Sequence, residues 1–173
     1  MPITIRPFHY EQDRANVQRC NLALELYHSR LWMEITGEPH DAGYWEKLLA
    51  TPEAANDYDQ ELQTAHTDEN KQILIAETAA GEFAGFLYIE VRNTPRHGVL
   101  EGGCINEIFV EPAFRGQRVA HLLMQAGEDW FASKGLSRGQ VFVTANNPAA
   151  VKLYESFGYV IADYRMLKKH RDA

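Results

Sequence analysis

The stretch from Ile105 to Ala120 could bind a phosphate group through its backbone. Its sequence, INEIFVEPAFRGQRVA, predicts a strand, a tight turn and the start of a helix. A helix start leaves backbone N–H groups without partners and carries the positive end of the peptide dipoles, so it can hold a pyrophosphate with little help from side chains. Arg115 and Arg118 flank this start and add charged donors. By itself, this Arg-Gly-x-Arg pattern also fits a solvated loop.

A second motif, NPAAVKLYESFGY, begins at Asn147 and predicts a short helix with a signal at each end. Asn147 fits the N-cap, Pro148 the first helical position and Gly158 the residue just after the helix. Spacings of four and three put three residues on one face, which meets the core or a ligand: Ala150, Tyr154 and Phe157.

The two motifs together read Arg-Gly-x-x-Val-Ala and then Asn-x-x-Ala-x-x-Leu-Tyr-x-x-x-Gly-Tyr. In this order the chain resembles the GNAT superfamily of acyl-CoA N-acetyltransferases, over roughly residues 103–168. The family pattern usually has glycine where this chain has Arg118. Arginine is compatible with that position if its side chain points outward toward the phosphate.

The resemblance implies acetyl-CoA as the acyl donor. The backbone of Ile108, Phe109 and Val110 is then expected to pair with the pantetheine amides, as an added strand pairs with an open sheet edge. Asn147 either reaches the cofactor or only caps its helix, and the two roles can coexist. The pyrophosphate is expected to lie among Arg115, Gly116, Gln117, Arg118, Val119 and Ala120.

Amide formation needs a base, because an amine with a pKa of about 10.4 is protonated near neutrality. Glu107 is the first candidate, since it lies mid-strand beside the predicted phosphate-binding turn in an otherwise apolar pattern, and the family often has an acidic residue in this strand. Alternatively, Glu107 is an exposed strand residue or only binds the ammonium group. The reserve candidates are Glu101, Asn106 and His97.

The departing CoA thiolate needs a proton, and the resemblance indicates Tyr154 as the donor. Members of the family commonly have a tyrosine at this position, and a phenol can donate a hydrogen bond to the leaving sulfur. The alternative is a core aromatic residue on an amphipathic helix.

The composition fits one globular domain, residues 1–173, with 45% apolar and 24% charged residues. No apolar run is long enough to span a membrane, and the N-terminus lacks a signal-peptide core. Cys20 and Cys104 form no C-x-x-C pair, so we expect a reduced, cytoplasmic compartment. The seven histidines do not pair at ligand spacing, so we predict no metal.

A net charge of −7 argues against a nucleic-acid partner and favours a cationic one. Residues 48–70 contain no Lys or Arg, and we interpret them as either a solvated connection or a wall that attracts an amine. Its acidic residues are Glu53, Asp57, Asp59, Glu61, Asp68 and Glu69.

The acidity favours a small cationic amine, a polyamine or an aminoglycoside-like molecule, as the substrate. A protein or peptide amine is the alternative, and a non-catalytic acyl-CoA sensor stays open. A nucleotide enzyme is disfavoured, because neither Gly-x-x-x-x-Gly-Lys-Ser/Thr nor Gly-x-Gly-x-x-Gly occurs. The family resemblance also leaves a homodimer open.

The predicted architecture is a single α/β domain with a mixed, partly parallel central sheet flanked by helices. A hairpin turn is expected at residues 79–81, and the connection through 93–103 is expected to be a loop. The predicted strands are residues 3–6, 72–78, 82–91, 104–110, 139–144 and 159–167, and the predicted helices are 12–33, 44–49, 118–134 and the one after Asn147.

Overall fold

The computed structural model describes residues 2–37, 42–96 and 99–168. The described elements, in chain order, are β1 (Ile3–Pro7), α1 (Tyr10–Thr36), α2 (Ala42–Leu49), α3 (Pro52–Thr67), β2 (Lys71–Thr78), β3 (Phe83–Arg96), β4 (Val99–Val110), a 3-10 turn (Pro112–Phe114), α4 (Val119–Ser133), β5 (Gly139–Val141) and α5 (Pro148–Ser156).

The strands form one sheet in the order β1-β2-β3-β4-β5. The first four strands are antiparallel, and β5 runs parallel to β4 after the α4 crossover. The mixed, partly parallel α/β fold expected from the sequence is therefore confirmed. β5 pairs only with Gly103, Cys104 and Ile105, so among the described residues the rest of β4 has no strand neighbour on that side.

Helices cover both faces of the sheet, and each face has its own core. Leu123, Phe131 and Tyr154, from α4 and α5, pack on one face. Val17 and Leu62, from α1 and α3, pack on the other. Neighbouring strand residues alternate between the two cores, as the two-residue period of a strand requires.

A β-bulge in β4 changes which residues face which core. Tyr88 pairs with Glu107 and Ile89 with Ile105, so Asn106 is an extra residue without a partner on β3. Ile105 packs in the α4 core, whereas Glu107 contacts α1 and α3 on the opposite face. In a regular strand these two residues would share a face, so the bulge is what turns Glu107 toward α1 and α3.

Several predicted elements agree with the structure. α1 runs three residues beyond the predicted C-terminal limit, and the β2–β3 turn has Gly81 at φ +79°. α4 is followed by Gly135 at φ +72°, and α5 has Pro148 at its start and Gly158 at φ +84° after its end. The turn and capping residues therefore predicted the β2–β3 turn and the ends of α4 and α5 correctly.

The predicted acidic connection is wrong, because most of residues 48–70 form helix α3. The side chain of Thr51 caps it by accepting from the N–H of Ala54, and Pro52 lies in its first turn. Only Leu62 and Ala65 are buried on this helix. So narrow an apolar stripe gives a weak helical signal in the sequence.

The predicted loop at residues 93–103 is also wrong, because β3 continues to Arg96 and β4 begins at Val99. Gly103 of β4 serves close packing, since a Cβ there would lie 2.5 Å from the Phe131 ring. Glycine is common in loops, but here it lies inside a strand because a side chain would not fit.

The last two predicted strands are overestimated. β5 ends at Val141, and residues 159–168 have no regular secondary structure. Phe142, Val160 and Met166 are 83%, 85% and 91% exposed. An alternating apolar pattern forms a strand only beside a partner, and the short β5 gives none to this segment.

Candidate active site

A cavity of about 420 Å³ lies between α1, α3 and β4, on the face toward which the bulge turns Glu107. Four carboxylates line it, those of Glu25, Asp57, Glu61 and Glu107, and none of its lining residues is basic.

The four-residue spacing of a helix brings cavity residues together in pairs on α1 and on α3. Asn21 and Glu25 lie four residues apart on α1, and Asp57 and Glu61 lie four apart on α3, so each pair shares one helix face. Asp57 and Glu61 are exposed, whereas Glu107 is partly buried at the sheet. The cavity therefore joins an acidic, solvated wall to one desolvated carboxylate.

Glu107 is held by two donors. The Tyr58 hydroxyl donates to Oε2 of Glu107 at 2.9 Å, and Nδ2 of Asn21 donates to the same oxygen at 3.2 Å. Burial raises the pKa of Glu107 to about 7, helped by the charges of Glu61 and Glu25 and opposed by the two hydrogen bonds. A carboxyl group with this pKa can accept and return a proton near neutral pH.

Two tyrosines, the buried Tyr88 and the partly buried Tyr58, donate hydrogen bonds to carboxylates of the cavity. Tyr88 donates from β3 to Oε1 of Glu61 at 3.1 Å, and Tyr58 donates to Glu107. Burial and the nearby carboxylates raise the pKa of both phenols well above the ordinary value, so both remain protonated donors.

Sequence reasoning missed four residues of this site: Asn21, Glu25, Tyr58 and Tyr88. The four-residue spacing of Asn21 and Glu25 is a sequence signal for a shared helix face, but α1 also carries many other polar residues. Tyr88 has no such signal, because it lies in an apolar run and only its register opposite Glu107 gives it a role.

Only some of the acidic residues between positions 48 and 70 line the cavity. Asp57 and Glu61 line the cavity, but Asp59 does not. Asp59 accepts hydrogen bonds from Tyr10 at 2.8 Å and from Gln18 at 3.0 Å. It therefore ties α3 to α1.

The reserve candidates for the base are not brought to the cavity by any described contact. Oδ1 of Asn106 accepts a hydrogen bond from Arg92 at 3.0 Å. His97 and the side chain of Glu101 lie outside what the structure describes.

The turn after β4 presents free backbone donors. Gly116 has φ +75° and Arg118 φ +64°, and the first α4 hydrogen bond runs from the Leu122 N–H to the Arg118 carbonyl. Among the described residues, no backbone acceptor is bonded to the N–H groups of residues 116–121. The start of α4 thus has the partnerless donors and positive dipole end that an anion requires.

The long polar side chains of this turn differ in their contacts. Nε of Arg115 donates to the Val110 carbonyl at 3.1 Å, and its guanidinium lies 5.8 Å from the Phe109 ring centre. Gln117 donates to the Ala113 carbonyl at 3.0 Å. Arg118 is exposed, and within the described chain its side chain makes no hydrogen bond or ion pair.

Tyr154 packs on the α4 side of the sheet, and Asn147 lies at the start of α5. Tyr154 is 7% exposed in the α4 core, and burial raises its pKa to about 12. Oδ1 of Asn147 accepts from the Ala150 N–H at 3.3 Å and from the Tyr27 hydroxyl at 3.4 Å, so Asn147 caps α5. No described contact joins Tyr154 to Glu107, which faces the opposite side of the sheet.

A sequence profile of the acetyltransferase (GNAT) family matches residues 32–159. The chain is 27% identical to an uncharacterized N-acetyltransferase of Bacillus subtilis, YdgE, over 74% of this chain and 80% of that protein. It is 33% identical to a mycothiol acetyltransferase of Renibacterium salmoninarum, over 50% of this chain and 25% of that protein. The matched region thus spans about a quarter of the length of that relative.

The fold is similar to solved structures of low sequence identity. An aminoglycoside antibiotic 6′-N-acetyltransferase of Acinetobacter baumannii aligns with a TM-score of 0.65 at 17% identity, over 99% of this chain and 100% of that one. A mutant of the BH1408 protein of Bacillus halodurans aligns with a TM-score of 0.75 at 17% identity, over 97% of this chain and 99% of that one.

The fold and the family match together define the class of protein. The chain belongs to the acetyltransferase (GNAT) family, a family of acetyl-CoA-dependent N-acetyltransferases. Within the part of the chain that the structure describes, no helix has the length and apolarity needed to cross a bilayer.

Proposed function

We propose that this protein transfers the acetyl group of acetyl-CoA to a primary amine of a small cationic molecule, such as a polyamine or an aminoglycoside-like compound. The observation that carries this proposal is the cavity with four carboxylates and no basic lining residue, next to the open edge of β4.

The charge of the cavity selects the kind of substrate. Carboxylates that converge on one cleft raise the local concentration of cations and repel anionic competitors. Asp57 and Glu61 at the exposed wall can hold an ammonium group in solvent, while Glu107 meets the amine that reacts. A substrate with more than one amino group would place one of them beside Asp57 and Glu61 and another beside Glu107.

The open edge of β4 and the turn after it form the proposed cofactor site. Strand-like pairing with the pantetheine amides would fall to Ile108, Phe109 and Val110, which lie beyond the β5 pairing. Asn147 would border the cofactor while it caps α5. The pyrophosphate would bind Arg115, Gly116, Gln117, Arg118, Val119 and Ala120, mostly through free N–H groups.

The reaction follows from these positions. Glu107 takes a proton from the ammonium group, directly or through a water, and the freed nitrogen attacks the thioester carbonyl. The C–N bond forms, the nitrogen gives up its second proton to water, the C–S bond breaks, and Tyr154 gives its proton to the thiolate and regains one from solvent. The gap between β4 and β5 opens to both faces of the sheet, so a thioester lying there could meet Glu107 from one face and Tyr154 from the other.

The cellular setting is part of the same proposal. Cys20 and Cys104 are free and buried thiols, consistent with a reduced cytoplasmic location. Three further points stay predictions: the protein has no nucleic-acid partner, it binds no metal, and it forms a homodimer. Light scattering of the purified protein tests the last.

The testing experiment is a thiol-release assay with acetyl-CoA across polyamines, aminoglycosides, amino acids and peptides, with a thermal shift by acetyl-CoA on the same sample. Turnover with one class of polyamine or aminoglycoside, lost in Glu107→Gln, supports the proposal. Turnover with peptides alone would contradict the substrate class. A thermal shift without turnover on any amine would contradict the transferase and favour an acyl-CoA sensor.

A further inference from the structure

The two oxygens of Glu107 have different surroundings. The donors from Tyr58 on α3 and Asn21 on α1 both bind Oε2. Among the described residues, none donates to Oε1. A carboxylate has room for about four hydrogen bonds over its two oxygens, so this asymmetry is not forced by the group itself.

The asymmetry has a consequence for proton transfer. An oxygen that already accepts two hydrogen bonds has its lone pairs occupied and is a weaker proton acceptor than its neighbour. The two donors also fix the orientation of the carboxyl plane, because they reach it from two different helices. A base must be held in place to remove a proton efficiently.

We infer that Tyr58 and Asn21 are positioning residues that clamp Oε2 of Glu107 and leave Oε1 as the atom that accepts the proton of the substrate ammonium. This inference rests on the proposed function of Glu107 and names the further residues that site requires. The proton moves from nitrogen to Oε1, directly or through one water, and the electron pair stays on nitrogen for the attack.

The other groups around Glu107 act in the opposite sense. Glu25 on α1 and Glu61 on α3 face it with negative charge, Asp57 lies on the same cavity wall, and Tyr88 on β3 donates to Glu61. The carboxylates raise the pKa of Glu107, while the two clamp donors lower it by stabilising the charged form. Removing a clamp donor should therefore raise the Glu107 pKa further.

The test is a carbon-13 NMR titration of the glutamate side-chain carboxyl groups in the full chain, with Glu107→Gln used to assign the Glu107 signal. In Tyr58→Phe and in Asn21→Ala, the Glu107 midpoint is expected to rise by roughly half to one pH unit. The acidic limb of the kcat/KM profile should move upward by the same amount, with a fall in kcat at neutral pH.

Tyr10→Phe is the matched control, because Tyr10 donates to Asp59 on the same helix α3 but outside the cavity. It should leave the Glu107 titration and the pH profile unchanged. A midpoint that stays fixed or falls in both Tyr58→Phe and Asn21→Ala would overturn the clamp. The NMR readout needs no turnover, so an upward shift in a protein inactive on every amine would support the clamp and contradict only the proposed function.

Discussion

At the residue scale, the environment of Glu107 determines its chemistry. A glutamate on a regular strand surface would be ionised at neutral pH and would be a weak base. Burial by α1, α3 and the sheet raises its pKa to about 7, where it can exchange a proton with an amine. The same shift makes ionised Glu107 a source of instability in the folded protein.

The stability of the protein should therefore depend on Glu107 in a defined pH window. Its folded pKa of about 7 exceeds the ordinary value of 4.5, so stability decreases as pH rises between these values and stays lower above them. Glu107→Gln should raise the Tm relative to wild type at about pH 8, and the difference should shrink below pH 4.5. Thermal unfolding at both pH values measures this. A difference in Tm that is independent of pH would contradict it.

Tyr154 should matter for turnover and little for cofactor affinity. Its pKa of about 12 keeps the phenol protonated, as a proton donor requires. Tyr154→Phe should lower kcat by about tenfold or more, while the Kd for acetyl-CoA, measured by calorimetry, stays the same. Tyr159→Phe is the control, because the Tyr159 hydroxyl lies in the same aromatic pair but donates to Glu128. Equal kcat in all three proteins would exclude the acid role.

At the element scale, the turn before α4 combines a strained backbone with free donors. Among the described residues, Arg118 is the only residue other than glycine with a positive φ. A left-handed conformation costs an ordinary L-residue about 1–2 kcal/mol, so arginine is kept here against its backbone preference. The phosphate role proposed for this turn would account for an exposed guanidinium at this position.

Two substitutions separate the charge of Arg118 from its strain. Arg118→Gly and Arg118→Ala both remove the guanidinium, and both should weaken CoA binding in a calorimetric titration. Only glycine relieves the left-handed strain, so Arg118→Gly should be about 1 kcal/mol more stable than Arg118→Ala in urea unfolding. Unchanged CoA affinity in both variants would remove the phosphate role of Arg118.

Helix α3 allows a similar comparison of carboxylates. Asp57 and Glu61 line the cavity, whereas Asp59 bonds to α1, yet each substitution to the amide changes the net charge equally. Asp57→Asn and Glu61→Gln, each made alone, should raise the KM for a cationic amine several-fold and weaken its salt dependence. Asp59→Asn should leave both unchanged. If the cavity and control variants changed KM equally, α3 would act on the substrate only through its overall charge.

At the scale of the whole molecule, α4 packs closely on the sheet at the point where β4 pairs with β5. Gly103 pairs with Gly139 of β5 and lies under the buried Phe131 of α4. This point therefore joins two strands and one helix at the first of the three β4–β5 pairs. The β5 pairing ends at Ile105, so the open edge of β4 begins at Asn106, three residues beyond Gly103.

Gly103→Ala should destabilise the whole fold. The new Cβ would lie 2.5 Å from the ring of Phe131, which is 3% exposed and has little room to move. Overpacking of this kind costs about 1–3 kcal/mol, measurable as a lower urea midpoint. Gly102→Ala is the neighbouring control, since its Cβ would come no closer than 3.4 Å, to the Arg138 carbonyl. A midpoint lowered equally in both variants would contradict this account.

The sequence by itself determined the local features of this protein. These features depend on interactions within a few residues, which a sequence shows directly. They are the N-cap Asn147, the glycines that follow α4 and α5, and the strand-turn-helix at Arg115. Motif order was enough to predict the family, and with it Glu107 and Tyr154 as candidates. The sequence-based predictions were wrong for α3, for the β3–β4 hairpin and for the last two strands, because the local sequence signal there is weak or ambiguous.

Only the tertiary structure decided which residues share the cavity. Asn21, Tyr58 and Glu107 are separated by up to 86 residues, yet they meet because α1 and α3 pack on one face of the sheet. The bulge at Asn106 then selects that face for Glu107, and burial there raises its pKa. Long-range packing and strand register have no counterpart in local sequence spacing, so these groups became visible only in the fold.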